Sequence, residues 1–446
     1  MGGARSILHV DLDAFFVSCE LLRRPELTGL PVVVAGGAEF HPGEPSRPGR
    51  AVVSAASYEA RSFGVRSALP LAVALRQCRE LVVLPVDIAH YAALSKQVFA
   101  VFRDFTPLVE PGSLDEAYLD VTGSRLLAGD GPSIAATIQS RLSSELGLPC
   151  SVGVAACKTV AKVASDLRKP RGLVVVPPGG EAEFLAPLPL ERLPGAGPKT
   201  VERLRLLGAR TIGDLAGLDQ PSLRAALGSQ GAQLQARSRG DDLSPVVPPG
   251  LPRSISRERT FEVDLTSLDE AQRMVRQMAF AVAGRLRAQG LLAGTVILKV
   301  RFQDFRTVTR QQALAAPTCL DLQLARSARE LLAPVYEPGV RLLGVGAGRL
   351  QEGEVAGLFP TDESRAARLD QALDRLRAQF GAQAITRGVG DPGRVSDWNR
   401  DHLRALGDPP SSAGEPPYHR AVEFEDRRPG LGDRARGPAG RGAGGR

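Results

Sequence analysis

The stretch Val10-Asp11-Leu12-Asp13-Ala14-Phe15-Phe16 decides the fold, together with Ser113-Leu114-Asp115-Glu116-Ala117-Tyr118-Leu119-Asp120 further along the chain. Each stretch places carboxylates at the edge of an apolar run that is typical of a strand. Burying carboxylates is unfavourable unless they hold a cation, and hard oxygen ligands suit Mg²⁺. Two such ions can lower the charge on a hydroxyl nucleophile and on a departing pyrophosphate, as nucleotidyl transfer requires. Taken alone, either stretch is more often a pair of ordinary strand-end acids in a turn.

Length and composition limit the number of domains and the class of protein. The 446 residues exceed one compact core and predict two to four domains. The chain is 43% hydrophobic and 24% charged, and no apolar run approaches the ~20 residues of a membrane span. A net charge of +7 favours a polyanionic partner. The five cysteines are scattered and odd in number, which predicts neither a disulfide framework nor a zinc site. These features indicate a cytoplasmic protein.

The order of sequence patterns predicts an α+β multidomain protein. Strand-like runs alternate with helix-like ones over the first 190 residues, and a surface loop is predicted at Glu39 to Gly49. Short glycine-punctuated helices follow, and then a Pro-rich linker at 245–252. A basic segment begins at Arg253, with a helix predicted from Leu268 to Gln289 and a strand from Val296 to Gln303. The segment 388–446 is predicted to be a disordered, partly basic tail.

Four sequence blocks in fixed order make the pattern specific. They are D-L-D-A-F-F-V-S-C-E from Asp11, Y-E-A-R-S-F-G-V-R-S from Tyr58, S-L-D-E-A-Y-L-D-V-T from Ser113, and S-V-G-V-A-x-x-K-x-x-A-K-V-A-S-D-L-R-K-P-x-G from Ser151. Together they resemble the signature blocks of Y-family translesion DNA polymerases, in particular those of the bacterial DNA polymerase IV branch. The resemblance runs from about Ile7 to Leu350.

The resemblance implies a right-hand polymerase with a mixed-sheet palm, small fingers, a helical thumb that contains a helix-hairpin-helix, and an α/β little finger. The implied divisions are a palm at 1–190 with fingers inserted at about 25–85, a thumb at 191–244, a linker at 245–252 and a little finger at 253–352. The segment at 353–387 contains a clamp-like motif and a short amphipathic helix, whose apolar residues are Leu369, Leu373, Leu376 and Phe380.

Site residues follow from the matching motif positions. Asp11, Asp115 and Glu116 match the catalytic and metal-binding acids, and Leu12 would add a carbonyl ligand for one of two Mg²⁺ ions. Phe16 occupies the position that excludes a 2′-hydroxyl. The residues implied in nucleotide binding are Phe15, Tyr58, Arg61 and Lys169, whereas Asp13 and Asp120 are interpreted as structural acids.

DNA contacts are implied in two places. Leu193-Pro194-Gly195-Ala196-Gly197-Pro198-Lys199 resembles the hairpin whose backbone amides approach a phosphate, with Gly195, Gly197 and Lys199 as the contacts. In the little finger, the basic residues implied are Lys299, Arg301, Arg306 and Arg310. The predicted partners are therefore primer-template DNA and dNTPs, bound by a monomer at the nucleoid.

The chain departs from the family pattern at two points. The Glu39 to Gly49 loop is longer than usual, and only Leu358-Phe359 remains of the sliding-clamp peptide Q-L-x-L-F, which predicts weak clamp binding. Two alternatives stay open. A non-catalytic Y-family adaptor would lose the metal carboxylates, which this chain keeps, and a palm-type nucleotide cyclase would not need the hairpin or the basic C-terminal sheet.

Overall fold

A computed structural model describes residues 5–36, 49–353, 362–381 and 384–385. The predicted loop from Glu39 (except Gly49), the Leu358-Phe359 motif and the predicted tail at 388–446 lie outside these ranges. In the part that is described, no helix is both long and apolar enough to cross a membrane.

Strands and helices are numbered in chain order over the described residues. The strands are β1 (Ile7–Leu12), β2 (Val32–Gly36), β3 (Val52–Ala56), β4 (Val82–Pro85), β5 (Val109–Pro111), β6 (Glu116–Asp120), β7 (Cys150–Ala155), β8 (Leu173–Val175), β9 (Ser254–Leu265), β10 (Leu291–Phe302), β11 (Thr307–Thr318) and β12 (Val340–Glu352). The helices are α1 (Phe15–Arg23), α2 (Tyr58–Ser62), α3 (Leu71–Gln77), α4 (Ile88–Arg103), α5 (Arg125–Ala128), α6 (Gly131–Leu146), α7 (Lys158–Leu167), α8 (Glu181–Leu185), α9 (Pro198–Leu206), α10 (Ile212–Gly217), α11 (Gln220–Leu227), α12 (Ser229–Ser238), α13 (Leu268–Ala288), α14 (Asp321–Leu332) and α15 (Asp362–Phe380).

The first sheet has the strand order β5-β6-β1-β7-β8. Strand β1 is antiparallel to both neighbours, whereas β7 and β8 are parallel, so the sheet is mixed as predicted. Leu8 and Val10 of β1 point into a core cluster with residues of α4 and α6, and Ile7 joins a second cluster with α7. Because both faces are covered, β1 is apolar almost throughout, and its one carboxylate, the partly buried Asp11, comes near its end.

A small second sheet, in the order β3-β2-β4, lies between α1 and α4 in the chain. It packs on α2 and α3 through its own buried cluster. Ser57 caps α2, because its hydroxyl accepts a hydrogen bond from the Ala60 amide, and the same hydroxyl accepts one from the Val32 amide. This double contact fixes the start of α2, and with it Tyr58, against strand β2.

Helices α9 to α12 form a compact helical unit, and the segment that leaves it is fastened to the first sheet. Glu110 of β5 accepts a hydrogen bond from the Val247 amide at 2.8 Å, and the Arg5 guanidinium donates to the Ser244 carbonyl at 2.5 Å. Val246 is 5% exposed. The Pro-rich segment predicted as a linker is irregular, as expected, but it is anchored rather than free.

The third sheet is antiparallel, in the order β11-β10-β12-β9, and α13 and α14 cover one face. The predicted strand is present as part of β10, in which Leu298, Val300 and Phe302 are buried while Lys299 and Arg301 are partly exposed. The strand begins at Leu291, earlier than the predicted start.

Two arginines form ion pairs that connect other segments to the third sheet and to the helices that cover it. Arg50, beside β3, donates from Nη1 to Asp264 Oδ1 of β9 at 2.6 Å and to the Phe261 carbonyl at 2.7 Å. Arg287 of α13 pairs with Asp321 at 2.8 Å and with Asp374 of α15 at 2.6 Å.

Helix α15 confirms the amphipathic helix predicted near the C-terminus, but its buried face differs from the expected one. Leu373 is buried, whereas Leu369 and Phe380 are more than half exposed. Asp370 is almost fully buried instead, 3.5 Å from Arg287. Ion pairing to α13 therefore orients this helix as much as apolar contact does.

Candidate active site

The two acidic segments meet where β1 runs beside β6. Asp11 is the register partner of Glu116 in the antiparallel ladder, and the Leu12 amide donates to the Asp115 carbonyl at 2.9 Å. Asp11 and Asp115 therefore lie at the same edge of the first sheet.

A cleft of about 240 Å³ opens at this edge, between the first sheet and the second. It collects most of the residues predicted from sequence, namely Asp11, Leu12, Phe15, Phe16, Tyr58, Arg61, Asp115 and Lys169. Sequence reasoning missed four further lining residues, Ala14, Ser54, Ala55 and Ser67. Small side chains such as these carry no chemical signal of their own. The cleft thus brings together two carboxylates, two cations and three aromatic rings.

Burial dominates the electrostatics of the two cleft carboxylates. Loss of solvent raises the pKa of Asp11 to about 6, even though the Lys169 ammonium nearby lowers it. Burial likewise raises the pKa of Asp115, partly offset by a hydrogen bond from Ser113. Lys169 Nζ lies 2.7 Å from Asp11 Oδ2 and 2.7 Å from Asp166 Oδ1. An ammonium therefore already balances one of the two buried carboxylates.

Glu116, the third predicted acid, does not line the cleft. Its Oε2 atom accepts a hydrogen bond from Lys162 Nζ at 2.5 Å and lies 3.5 Å from His9 Nε2. Burial alone would raise the pKa of Glu116, but hydrogen bonding to His9 and the charge of Lys162 outweigh it and hold the pKa at about 2. Neither His9 nor Lys162 was predicted, although Lys162 lies within the fourth sequence block.

The carboxylate oxygens that line the cleft are ligands of the type that a hard divalent cation prefers. Asp11 and Asp115 are partly buried carboxylates that line the same cleft, and the cation next to Asp11 is Lys169. In the described ranges, no three His, Cys, Asp or Glu side chains converge as a ready metal cluster. Glu116, the third predicted acid, is directed toward Lys162 instead of joining Asp11 and Asp115.

The ring of Phe16 forms one wall of the cleft and is held by stacking. It lies on the Tyr91 ring with centroids 4.4 Å apart and planes 19° apart. The Tyr91 hydroxyl donates to Glu20 at 2.8 Å, so the supporting ring is itself fixed. Phe15 is buried in the core cluster and reaches the cleft only at its edge. No motif in the sequence indicated Tyr91.

Tyr58 and Arg61 enter the cleft from α2. The Arg61 guanidinium lies 4.5 Å over the Tyr58 ring, and its Nε donates to the Ala56 carbonyl at 3.1 Å. The Tyr58 hydroxyl donates to Asp13 Oδ1 at 3.1 Å. Asp13 also accepts hydrogen bonds from the Ser151 hydroxyl and the Arg171 amide. It is thus a buried structural acid, as interpreted, that links the two sheets.

Asp120 lies outside the cleft. It accepts a hydrogen bond from the Thr122 amide at 3.0 Å and pairs with Arg5 at 3.8 Å.

The predicted hairpin precedes α9. Gly195 has φ 96°, which favours glycine, and Gly197 caps the helix with open space where a Cβ would stand. Lys199 is exposed in the first turn of α9. The surface is open enough for a backbone phosphate to approach these amides.

The basic residues of the third sheet are divided between its faces. Lys299 pairs with Glu258 at 2.9 Å, and Arg301 donates to the Thr307 hydroxyl on the same face. Arg310 is the register partner of Leu298 and so lies on the other face. Arg306 lies in the β10–β11 turn, stacked over Phe302 and paired with Glu337. The structure therefore does not bring all four predicted DNA contacts onto one surface.

Comparisons with known proteins agree with this architecture. Residues 10–166 match the impB/mucB/samB family, and residues 252–358 match the C-terminal domain of that family. The chain is similar to DNA polymerase IV of Desulfatibacillum aliphaticivorans, with 44% identity over 85% of this chain and 95% of the relative. It is also similar to DNA polymerase IV of Halorhodospira halophila, with 43% identity over 78% of this chain and 96% of the relative.

The fold is also that of a solved polymerase. The Y-family DNA polymerase chimera Dbh-Dpo4(243-245)-Dbh superposes with a TM-score of 0.69 at 23% identity, over 78% of this chain and all of that one. The right-hand polymerase fold predicted from sequence is thereby confirmed. The chain belongs to the Y-family of DNA polymerases and is a DNA-directed DNA polymerase.

Proposed function

We propose that this polymerase is a low-fidelity enzyme that performs translesion synthesis by two-metal-ion nucleotidyl transfer, without a proofreading exonuclease. The observation that carries the proposal is one cleft that is lined by Asp11 and Asp115, by Arg61 and Lys169, and by Phe16. Carboxylates for a metal and cations for a polyphosphate are both needed for dNTP addition to a primer end.

Each of the proposed site residues has a distinct role. Asp11, Asp115, Glu116 and the Leu12 carbonyl would hold two Mg²⁺ ions. When bound, Mg²⁺ would lower the charge on the primer 3′-hydroxyl and on the departing pyrophosphate. Arg61 would bind the triphosphate with its planar fork and Lys169 would bind it as a point charge, with Tyr58 beside them. Phe15 supports Phe16, which would exclude a 2′-hydroxyl by steric contact.

Tolerance of damaged templates is supported by the lining that the second sheet contributes. Apart from Tyr58 and Arg61 of α2, the side chains that β3 and the turn after α2 place in the cleft are small, namely Ser54, Ala55 and Ser67. Small side chains leave space beside a nucleotide and make few contacts that depend on base shape. A distorted base pair would therefore be rejected weakly, which suits lesion bypass and lowers fidelity.

DNA binding is assigned to two regions. The amides around Gly195 and Gly197, with Lys199, would contact a backbone phosphate. On the third sheet, Lys299 and Arg301 would contact the duplex from one face, Arg306 from the turn and Arg310 from the edge strand. These contacts are to phosphates, and they would be independent of sequence.

The remaining assignments follow the same division of the chain. We assign the palm to 1–190 with fingers at about 25–85, the thumb to 191–244, the linker to 245–252 and the little finger to 253–352. The segment at 353–387 would include a weak sliding-clamp contact at Leu358 and Phe359. The enzyme would act as a monomer at the nucleoid.

Primer extension on paired undamaged and lesion-bearing templates tests the proposal. We expect wild-type enzyme with Mg²⁺ and dNTPs to extend past a lesion that stops a proofreading polymerase. A mismatched 3′ end incubated without dNTPs should keep its length. Arrest at every lesion tested, or shortening of the mismatched end, would contradict the proposal.

A further inference from the structure

The Glu116 carboxylate occupies a defined site just outside the cleft, although its backbone pairs with Asp11. We propose that Lys162 is a positioning residue that holds Glu116 in this resting site and competes with the metal ion for it. The inference rests on the proposed metal-dependent function. It adds Lys162 to the residues that control metal binding.

Contacts from Lys162 and His9 define the resting site. Lys162 Nζ donates to Glu116 Oε2 at 2.5 Å. The His9 ring closes the site from strand β1, with its Nε2 atom 3.4 Å from Lys162 Nζ and 3.5 Å from Glu116 Oε2. Both Lys162 and Glu116 are about one-quarter exposed, so the pair is partly screened from solvent.

One serine contacts both the ring of His9 and the backbone of Lys162. The Ser165 hydroxyl lies 2.8 Å from His9 Nδ1 and donates to the Lys162 carbonyl at 2.8 Å. His9 and Ser165 are buried. Helix α7 and strand β1 therefore present Lys162 to Glu116 from a rigid base.

Gly112 supplies the space that the resting carboxylate needs. A Cβ atom built at Gly112 would lie 2.7 Å from Glu116 Oε1 and 2.9 Å from Glu116 Cγ. The Gly112 amide also donates to the Glu116 carbonyl at 2.9 Å. Any larger residue at this position would collide with Glu116 as it is now placed.

The resting site keeps the charge of Glu116 apart from the carboxylates of the cleft. Asp11 and Asp115 already bring two carboxylates into the cleft, and a third carboxylate beside them would add repulsion. Lys162 removes that repulsion by pairing with Glu116. Glu116 would have to leave Lys162 before it could bind the metal ion. The Lys162–Glu116 pair would therefore lower the affinity of the site for the metal.

Mn²⁺ binding tests the inference without polymerisation. Free Mn²⁺ is measured by electron paramagnetic resonance with the full-length protein, without DNA or nucleotide. We expect Lys162→Gln and Lys162→Met to bind Mn²⁺ about threefold to tenfold more tightly than wild type, since a partly exposed competing pair is lost. Lys162→Arg keeps the cation and should keep the wild-type affinity.

Two controls separate this effect from a general change in charge. Lys158→Gln removes another α7 lysine, one that pairs with Glu110 at 2.6 Å, and should leave Mn²⁺ affinity unchanged. In a Glu116→Gln background, Lys162→Gln should bring no further gain. A gain that persists without Glu116, an equal gain in Lys158→Gln, or no gain in Lys162→Gln and Lys162→Met would overturn the inference. If wild type binds no Mn²⁺ at all, the proposed metal site fails, and this inference fails with it.

Discussion

The Lys169 ammonium lies 2.7 Å from Asp11 Oδ2, on the side of the carboxylate that faces the cleft shared with Arg61. One lysine thus contacts a proposed metal ligand and lies within the proposed triphosphate site. A metal ion that binds Asp11 would free the ammonium for a phosphate oxygen.

We therefore expect Lys169→Ala to raise the KM for dNTP about 10- to 100-fold, because a hydrogen bond between charged groups contributes ~1.5 to 3 kcal/mol. The affinity for primer-template DNA alone should stay unchanged. Steady-state kinetics and a DNA-binding titration measure the two effects. Lys96→Ala, an exposed lysine on α4, is the control. An unchanged KM in Lys169→Ala would remove Lys169 from the nucleotide site.

Phe16→Ala should admit ribonucleotides, because a bulky ring held on Tyr91 would no longer lie beside the sugar. The preference for dNTP over rNTP should fall about tenfold or more, since each ~1.4 kcal/mol of lost exclusion is tenfold in rate. Incorporation opposite one template base with each nucleotide measures the preference. Phe63→Ala changes an exposed aromatic and should leave it intact. Equal preference in wild type and Phe16→Ala would show that Phe16 is not the gate.

The pH dependence of metal binding should follow Asp11. Burial raises its pKa to about 6, so the carboxylate is ionised well above pH 6 and protonated well below it. Because a proton and a metal ion compete for the same oxygens, Mn²⁺ affinity should decline as pH falls through about 6. Titrations between pH 5 and pH 8 measure this decline. Affinity that stays constant over the whole range would argue against Asp11 as a ligand.

The sliding-clamp prediction concerns Leu358 and Phe359, which lie outside the described residues. Two apolar anchors can fill a pocket, but the family peptide's first Leu is missing, and burying a Leu contributes ~1.5 to 3 kcal/mol. Binding should therefore be weaker than that of a full peptide by more than about tenfold. Clamp-stimulated synthesis should fall when both residues become Ala, with synthesis lacking clamp unchanged. Equal stimulation of mutant and wild type would reject the site.

Most of the fold could be predicted because its signals are local. Strand β1 is apolar on both faces, and the four sequence blocks fix where Asp11, Tyr58, Asp115 and Lys169 occur along the chain. Their convergence in one cleft follows once β1 and β6 are paired.

What sequence could not supply depends on contacts between distant segments. Tyr91 supports Phe16 from α4, and a lone aromatic on a helix looks like any core residue. The face of Arg310 depends on the β10–β11 register, which no pattern specified. The orientation of Glu116 depends on Lys162 and on the space at Gly112, neither of which changes the local motif.

Primer extension by Asp115→Asn tests the central claim most directly. The substitution keeps the shape of a cleft residue and removes the charge that a metal ion requires. Asp120→Asn is the matched control, since Asp120 ends the same segment but lies outside the cleft. With Mg²⁺, dNTPs and saturating primer-template, we predict no detectable extension by Asp115→Asn, normal DNA binding, and near wild-type extension by Asp120→Asn. Near-normal extension by Asp115→Asn would contradict the assignment of this cleft as the polymerase active site.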